Sequence, residues 1–331
     1  MSVKIIGTGS FIPERVLTNQ DLEKMVDTTD EWITTRTGIR ERHIADANIF
    51  TSDLSVQAAK RALDMAGIKP EDLDLISVAT VTPDTTFPST ACVLQSKIGA
   101  VNAACYDLVA ACTGLIYSLE VAYSLLKASP AKYRYALVMG ADKLSSIVDW
   151  SDRSTCILFG DGASAVVLKN APADPSPDFI VSSKIGANGN YCDLLKLPAG
   201  GSAMPASHAT VDQHLHYIYM AGKEVFKLAV NGMADSCKQV MHDAGVQPDE
   251  IAWVIPHQAN KRIILAAAQR LDLPLERVYV NIECIGNTSA ASVGICLDEL
   301  NRKGKLKSGD YILITAFGGG LTWGAMLIRW S

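Results

Sequence analysis

The sequence predicts an α/β protein built as two similar halves, each a mostly buried, mixed five-stranded sheet packed between helices. Three observations carry this expectation. Apolar, β-rich runs of five to eight residues alternate with amphipathic helical stretches, as in layered α/β folds. The segment AGIKPEDLDLI at residues 66–76 returns as AGVQPDEIAWV at residues 244–254, a shift of 178 positions. Between the copies, residues 170–178 hold Pro172, Pro175 and Pro177, a boundary signal. The halves are therefore expected at 1–172 and 179–331.

Composition narrows the function classes. Of 331 residues, 48% are hydrophobic and 20% charged, and the formal net charge is −5. Such a chain reads as water-soluble, with nucleic acid excluded as a general partner. No apolar run approaches a membrane span, and the N-terminus lacks a secretory pattern. The eight cysteines are scattered and form no CxxC pair. That is reduced, cytoplasmic usage, with neither a disulfide framework nor a zinc site.

Taken in order, residues 3–8 read as a strand. Gly7 and Gly9 begin a glycine pattern, but Ile12 and Pro13 break it and exclude a dinucleotide loop. A helix follows from Asn19. A second is expected from the capping cluster Thr28, Thr29 and Asp30. It would set Thr28, Trp32 and Arg36 on one face. An indole beside a guanidinium suits a planar anionic ligand such as a nucleotide; a half-buried Trp with a solvated Arg fits equally. Residues 54–66 form an amphipathic helix stopped by Gly67, and residues 75–80 a buried strand. The loop 82–88 exposes Phe87, either tucked into its own core or plugging a neighbouring pocket.

Residues 105–110 read as a strand and 113–126 as a helix. Between them Cys112 is flanked by Ala110, Ala111, Thr113 and Gly114. A cysteine at a helix start feels the positive end of the helix dipole, which lowers a thiol pKa and makes a nucleophile. The plainer reading is a small buried apolar residue. Residues 135–140 and 162–169 are further buried strands, and 200–216 a long surface loop. The 178-residue shift sets the Cys112 helix against residues 290–300, strand 135–140 against 311–316, and strand 162–168 against 324–329. Two packed halves bring loops from both to one crevice. There His257 follows the apolar strand before it, and Asn287 sits in a turn opened by Gly286. His214 and His216, spaced HxH on an expected strand, read as solvated side chains rather than metal ligands. His43 and His242 read as surface.

The motifs Ala110-Ala-Cys112-Thr-Gly, His257-Gln-Ala-Asn260, Gly286-Asn287-Thr-Ser and Phe317-Gly-Gly-Gly-Leu-Thr-Trp-Gly324 together resemble the β-ketoacyl-[acyl-carrier-protein] synthase III family over the whole chain. The resemblance implies a thiolase-like fold, a homodimer, and condensation of acetyl-CoA with malonyl-ACP to acetoacetyl-ACP, opening type II fatty-acid synthesis. It implies that Cys112 carries the acyl group, that the backbone N–H groups of Cys112 and Gly319 hold the oxyanion, and that His257 and Asn287 stabilise the enolate. No cofactor or metal is implied, because decarboxylation generates the carbon nucleophile. CoA would bind Thr28, Trp32, Arg36, Arg153 and Asn260, with adenine between Trp32 and Arg153. Leu144 and Phe159 would line the acyl pocket, and Phe87 would cross the dimer to close it. Lys227, Arg262 and Arg270 would dock acyl carrier protein. Lys223 stands where the family commonly has Asn, and Gln269 where it commonly has Lys; Cys284 and Cys296 receive no role. Alternatives are a relative using a longer, branched or aromatic primer, or a non-catalytic acyl-carrier-binding scaffold. A thiolase is disfavoured because residues 318–323 hold no second cysteine.

Overall fold

The computed structural model describes residues 2–171 and 175–331. Residues 172–174, including the expected boundary at 172 and part of the proline-rich linker, lie outside the described residues. The first sheet and its helices comprise β1 (Ser2–Phe11), α1 (Asp30–Thr37), α2 (Thr51–Ala66), β2 (Leu75–Ala79), α3 (Thr90–Ile98), β3 (Ala104–Leu108), α4 (Gly114–Ala128), β4 (Tyr135–Asp142) and β5 (Gly162–Ala171). The second comprise β6 (Ile180–Ala187), α5 (Gly222–Ala244), β7 (Ile251–Pro256), α6 (Lys261–Arg270), α7 (Ala291–Arg302), β8 (Tyr311–Gly318) and β9 (Thr322–Arg329).

The repeated segment folds alike in both places. Helices α2 and α5 end at Gly67 (φ +64°) and Gly245 (φ +66°), the left-handed stop that a Cβ disfavours. Pro70 and Pro248 then open short 3-10 turns that lead towards β2 and β7. The first sheet runs β1-β5-β4-β2-β3, with β4, β2 and β3 parallel. The second runs β7-β8-β9-β6, with β7 and β8 parallel. It has four strands, where five were expected. The fifth position shrinks to one parallel bridge, Val254 to Val278, with Tyr279 N–H donating to Val254 O at 2.9 Å. Pro274 and the 3-10 turn Leu275–Arg277 use up the chain ahead of that position, and a short helix, Ile282–Ile285, follows at once.

Helices α4 and α7 lie between the two sheets. Leu115, Ile116, Leu119 and Leu126 of α4 join Val293, Leu297 and Leu300 of α7 in one core with Val138, Val166, Ile312 and Met326. Helices α2 and α3 cover the outer face of the first sheet, and α5 and α6 that of the second. Each fully buried Leu or Ile contributes roughly 1.5–3 kcal/mol of transfer free energy, so this doubly covered central layer anchors the five-layer stack.

Three surface expectations change. The stretch 200–216 contains a short helix, His208–Asp212. His214 sits in a turn with φ +57°, not on a strand, and its Nδ1 lies 2.8 Å from Asp149 Oδ2. Asp149, distant in sequence, reaches it across the fold. His216 Nε2 instead meets Thr210 Oγ1 at 2.9 Å. Among the described residues no group of three ligands could hold a metal. His43 is half-buried rather than on the surface, with Nδ1 2.5 Å from Pro13 O.

Candidate active site

Cys112 lies in a single 3-10 turn, Ala111–Thr113, immediately before α4. Ala111 precedes it with φ +46°. A non-glycine residue there costs roughly 1–2 kcal/mol, which the packed surroundings must hold in place. One repeat later, Ser289 takes φ +48° just before α7. The two helices that form the central layer thus start from matched left-handed corners. Small residues let the corners meet. A Cβ on Gly114 would lie 2.7 Å from Ala79 Cβ, and one on Gly140 would lie 2.2 Å from Ala290 O.

Asn287 sits in the second of these corners. Its N–H donates to Leu158 O at 2.9 Å, and its carbonyl accepts from Gly160 N–H at 3.0 Å. Its Oδ1 accepts from Ser289 N–H at 2.9 Å. With the oxygen engaged, the Nδ2 hydrogens remain to donate. Behind this turn lies Arg42, fully buried and without a carboxylate partner among the described residues. Its guanidinium donates to Leu17 O at 3.1 Å, Asn19 Oδ1 at 2.9 Å and Ile157 O at 2.6 Å. Burial pulls its pKa down to about 10, still a cation at neutral pH. The arginine pins residues 157–160, which in turn hold the backbone of Asn287. Gly286 makes room, since a Cβ there would lie 3.0 Å from both Arg42 Cβ and Leu158 O.

His257 follows β7 directly. Its N–H donates to Thr315 O at 2.7 Å, and its ring is 1% exposed. Its Nδ1 lies 2.6 Å from Ser292 Oγ. Burial pulls its pKa down to about 3, so the imidazole is neutral at physiological pH.

Cys112 reverses the expectation of a lowered thiol pKa. Burial pushes it up to about 12, and the carboxylate of Asp142 pushes the same way. Hydrogen bonding from Ser289 and from the cysteine's own backbone works against this without prevailing. Asp142 is itself fully buried, accepting from Thr80 and Thr82 hydroxyls and Val81 N–H. The helix start positions the sulfur, but the dry surroundings decide its charge, and the resting group is a thiol.

Cys112, His257 and Asn287 line one cavity of about 100 Å³, together with Phe159, Asn260 and Phe317. A second cavity, of about 690 Å³, shares Cys112 and Phe159 and includes Leu144, Val109 and Gly319. Among the described residues neither wall contains a carboxylate. Gly318 is confined by the same machinery, because a Cβ there would lie 2.7 Å from Cys112 N.

The remaining sequence candidates, Asn260 apart, lie outside these cavities. Thr29, not Thr28, caps α1, so Thr28 precedes the helix rather than sharing a helical face with Trp32 and Arg36. The guanidinium of Arg36 lies 5.1 Å from the Trp32 ring centre and that of Arg153 5.3 Å. A base sandwiched between Trp32 and Arg153 needs roughly 7 Å between them. Arg153 instead rests on the indole and donates to Asp27 O at 2.7 Å. Asn260 caps α6 and donates to Arg36 O at 3.0 Å, tying this patch to the cavity wall. Lys223, Lys227, Arg262, Gln269 and Arg270 are exposed on α5 and α6. Phe87 is 85% exposed and lines neither cavity. Cys284 is exposed, whereas Cys296 is buried and donates to Asn281 Oδ1 at 3.2 Å. Sequence reasoning missed Arg42, Asp142, Ser289 and Ser292. The repeat carried one usable signal, since Ser289 stands 178 positions after Ala111.

Comparison with known proteins places the chain among relatives of one family. Profiles of 3-oxoacyl-[acyl-carrier-protein (ACP)] synthase III match residues 106–189, and those of its C-terminal part match residues 241–330. The chain is 55% identical to the β-ketoacyl-[acyl-carrier-protein] synthase III of Caldanaerobacter subterraneus subsp. tengcongensis over 327 residues, covering 99% of this chain and 97% of the relative. It is 52% identical to the Aquifex aeolicus protein of that name, covering all of both. The crystal structure of 3-oxoacyl-[acyl-carrier-protein] synthase III from Aquifex aeolicus superposes with a TM-score of 0.90 at 50% identity, covering 99% of this chain and 100% of that one.

The buried imidazole makes a testable prediction. By 1H–15N NMR the His257 ring should show no protonation between about pH 5 and 8. A midpoint near 6.5, the ordinary histidine value, would contradict the site's dryness. Because the folded value lies below the unfolded one, the unfolded chain binds the extra proton between pH 6.5 and about 3. The contribution to stability is therefore intact above pH 6.5 and is lost as pH falls through that window.

Proposed function

The chain belongs to the 3-oxoacyl-[acyl-carrier-protein] synthase III family, and from that premise we propose the division of labour within its site. The protein is an acyltransferase that starts fatty-acid synthesis by condensing an acyl-CoA with malonyl-ACP. The observation that carries the assignment of roles is the single cavity shared by Cys112, His257 and Asn287, one from the turn before α4, one from the end of β7 and one from the turn before α7.

Cys112 Sγ attacks the thioester carbonyl of acetyl-CoA. The bond to the CoA sulfur breaks, the acetyl group stays on Cys112, and the thiol proton leaves on CoA. The backbone N–H groups of Cys112 and Gly319 hold the tetrahedral oxyanion, each donor contributing roughly 3 kcal/mol. The bare Gly318 keeps that approach open. Malonyl-ACP then enters, and His257 and Asn287 donate hydrogen bonds to its thioester oxygen. Loss of CO2 leaves an enolate whose negative charge those donors stabilise. Its carbon attacks acetyl-Cys112, giving acetoacetyl-ACP and a Cys112 thiolate that takes up a proton. A neutral ring and an amide suit this step, since neither has to lose a proton. Water gains little from the site, because no carboxylate lines it to act as a base.

Around this centre, CoA lies over Trp32, Arg36 and Thr28, with Arg153 swinging off the indole to admit adenine, and Asn260 faces pantetheine. Leu144 and Phe159 bound the acyl group. The exposed edge of β3 and the apolar Phe87 and Val109, 85% and 79% exposed, support a homodimer formed across that edge. A second copy's Phe87 would narrow the large acyl cavity, which in one chain has room for primers beyond acetyl. Lys227, Arg262 and Arg270 form a basic surface that steers an acidic carrier protein despite the net charge of −5. Lys223 at the start of α5 adds to that charge, in place of an amide contact to pantetheine. The free cysteines support a cytoplasmic setting.

One set of assays tests these roles. Incubation with acetyl-CoA should add one acetyl group to Cys112 by peptide mass spectrometry. Labelling only by longer or aromatic acyl-CoAs would overturn the acetyl primer, and no labelling at all would leave a scaffold. His257→Ala and Asn287→Ala should still acetylate but lose CO2 release from malonyl-ACP by about 100-fold or more. A block in acetylation would overturn the division of roles. In the same assay Arg262→Glu should raise KM for malonyl-ACP and spare acetyl-CoA; an equal effect on both would overturn the docking surface. Weighing the protein by sedimentation should give two chains, and a monomer at micromolar concentration would overturn the dimer.

A further inference from the structure

The proposed role for His257 requires its ring to present a hydrogen, and a neutral imidazole has only one to place. Either Nδ1 or Nε2 can carry it. The surroundings of Nδ1 decide between them. Ser292 Oγ lies 2.6 Å from His257 Nδ1, in the first turn of α7. Ser292 is fully buried and lines neither cavity, so its hydroxyl is shut off from bulk water. The serine hydroxyl has no other hydrogen-bond partner among the described residues.

If Nδ1 carried the proton, Ser292 Oγ would accept it, and the hydroxyl's own hydrogen would be stranded in the interior. An unsatisfied buried donor costs roughly 1–3 kcal/mol. The opposite arrangement satisfies both groups: the hydroxyl donates to Nδ1, and the ring hydrogen sits on Nε2. We propose that Ser292 is a positioning residue that locks His257 as the Nε2–H tautomer, so that the ring can only donate into the cavity. This rests on the reading of His257 as an enolate stabiliser and sharpens it. An Nε2–H ring has no free lone pair facing the cavity, so it cannot take the thiol proton of Cys112. Transfer of the acetyl group then proceeds without His257, while decarboxylation depends on it. Ser292 therefore separates the two half-reactions by fixing one hydrogen. The group that sets this tautomer belongs to α7, the repeat counterpart of the helix that follows Cys112.

Histidine-15N-labelled protein tests the proposal, with no variant needed for the first reading. Long-range 1H–15N correlations should show a protonated Nε2 and an unprotonated Nδ1 for His257; a protonated Nδ1 would overturn the proposal. Ser292→Ala should release the lock, giving the other tautomer or a mixture. It should lower kcat for condensation at least about tenfold, as a wrong tautomer does in other histidine-dependent sites. The rate of Cys112 acetylation by acetyl-CoA should stay within about twofold, because that step does not use the ring. Ser292→Thr, which keeps the hydroxyl, should restore the Nε2–H signature and much of kcat. Unchanged tautomer and kcat in Ser292→Ala would overturn the proposal while leaving the role of His257, tested by its own variant, standing. Equal loss of acetylation and condensation would mark Ser292 as merely structural and overturn it too.

Discussion

The site depends on two helix starts being pressed together. Helices α4 and α7 run through the centre of the molecule, each emerging from a left-handed corner, at Ala111 and Ser289. Glycines let the second of these helices and its corner press onto the first sheet. A Cβ on Gly140 of β4 would lie 2.2 Å from Ala290 O, and one on Gly294 of α7 would lie 2.2 Å from Ser164 Oγ of β5. That contact sets Cys112 of one half against the turn bearing Asn287 of the other. A methyl group at any of these glycines would push the halves apart and separate the groups that share a cavity. The strain of two non-glycine left-handed residues, about 1–2 kcal/mol each, is held by the apolar layer the helices fill.

Close packing also dries the site, and dryness selects the chemistry. Burial holds His257 neutral with a pKa of about 3 and pushes the Cys112 thiol up to about 12. Charged acid–base pairs are poorly suited to such surroundings. Hydrogen-bond donors suit them well, since a donor aimed at a developing oxyanion gains strength where water is excluded. The donor set matches a reaction whose carbanion arises by loss of CO2. The cation of Arg42 acts at a distance, bracing the segment that carries Asn287 by neutral acceptors alone.

Much of this was legible in the sequence, for a physical reason. The repeat at 66–76 and 244–254 marks the same helix stop, proline turn and buried strand, and those local signals act the same way wherever they occur. Applied across the chain, the shift led from Cys112 to the helix after Asn287, and so to the crevice. What escaped depends on contacts between distant segments. The fifth strand of the second sheet shrank to Val254 and Val278 because Pro274 and the turn after it used up the chain. The thiol of Cys112 moved opposite to the helix-dipole expectation because burial outweighed the dipole. His214 found Asp149 only through folding, and Thr28 missed the helix because Thr29 caps it. Arg42 and Ser292 carry no local signal at all, since an arginine among charged neighbours and a serine among small residues look like surface and filler.

The central claim is that the cavity holds two separable functions, an acyl carrier at Cys112 and an enolate site at His257 and Asn287. Release of CO2 from carboxyl-labelled malonyl-ACP by Cys112→Ala tests it most directly. The account predicts that this variant releases CO2 and accumulates acetyl-ACP, with no acetoacetyl product, because the enolate is still stabilised but has no acyl group to attack. Loss of CO2 release along with the sulfur would contradict it, and would mean that decarboxylation needs Cys112 itself.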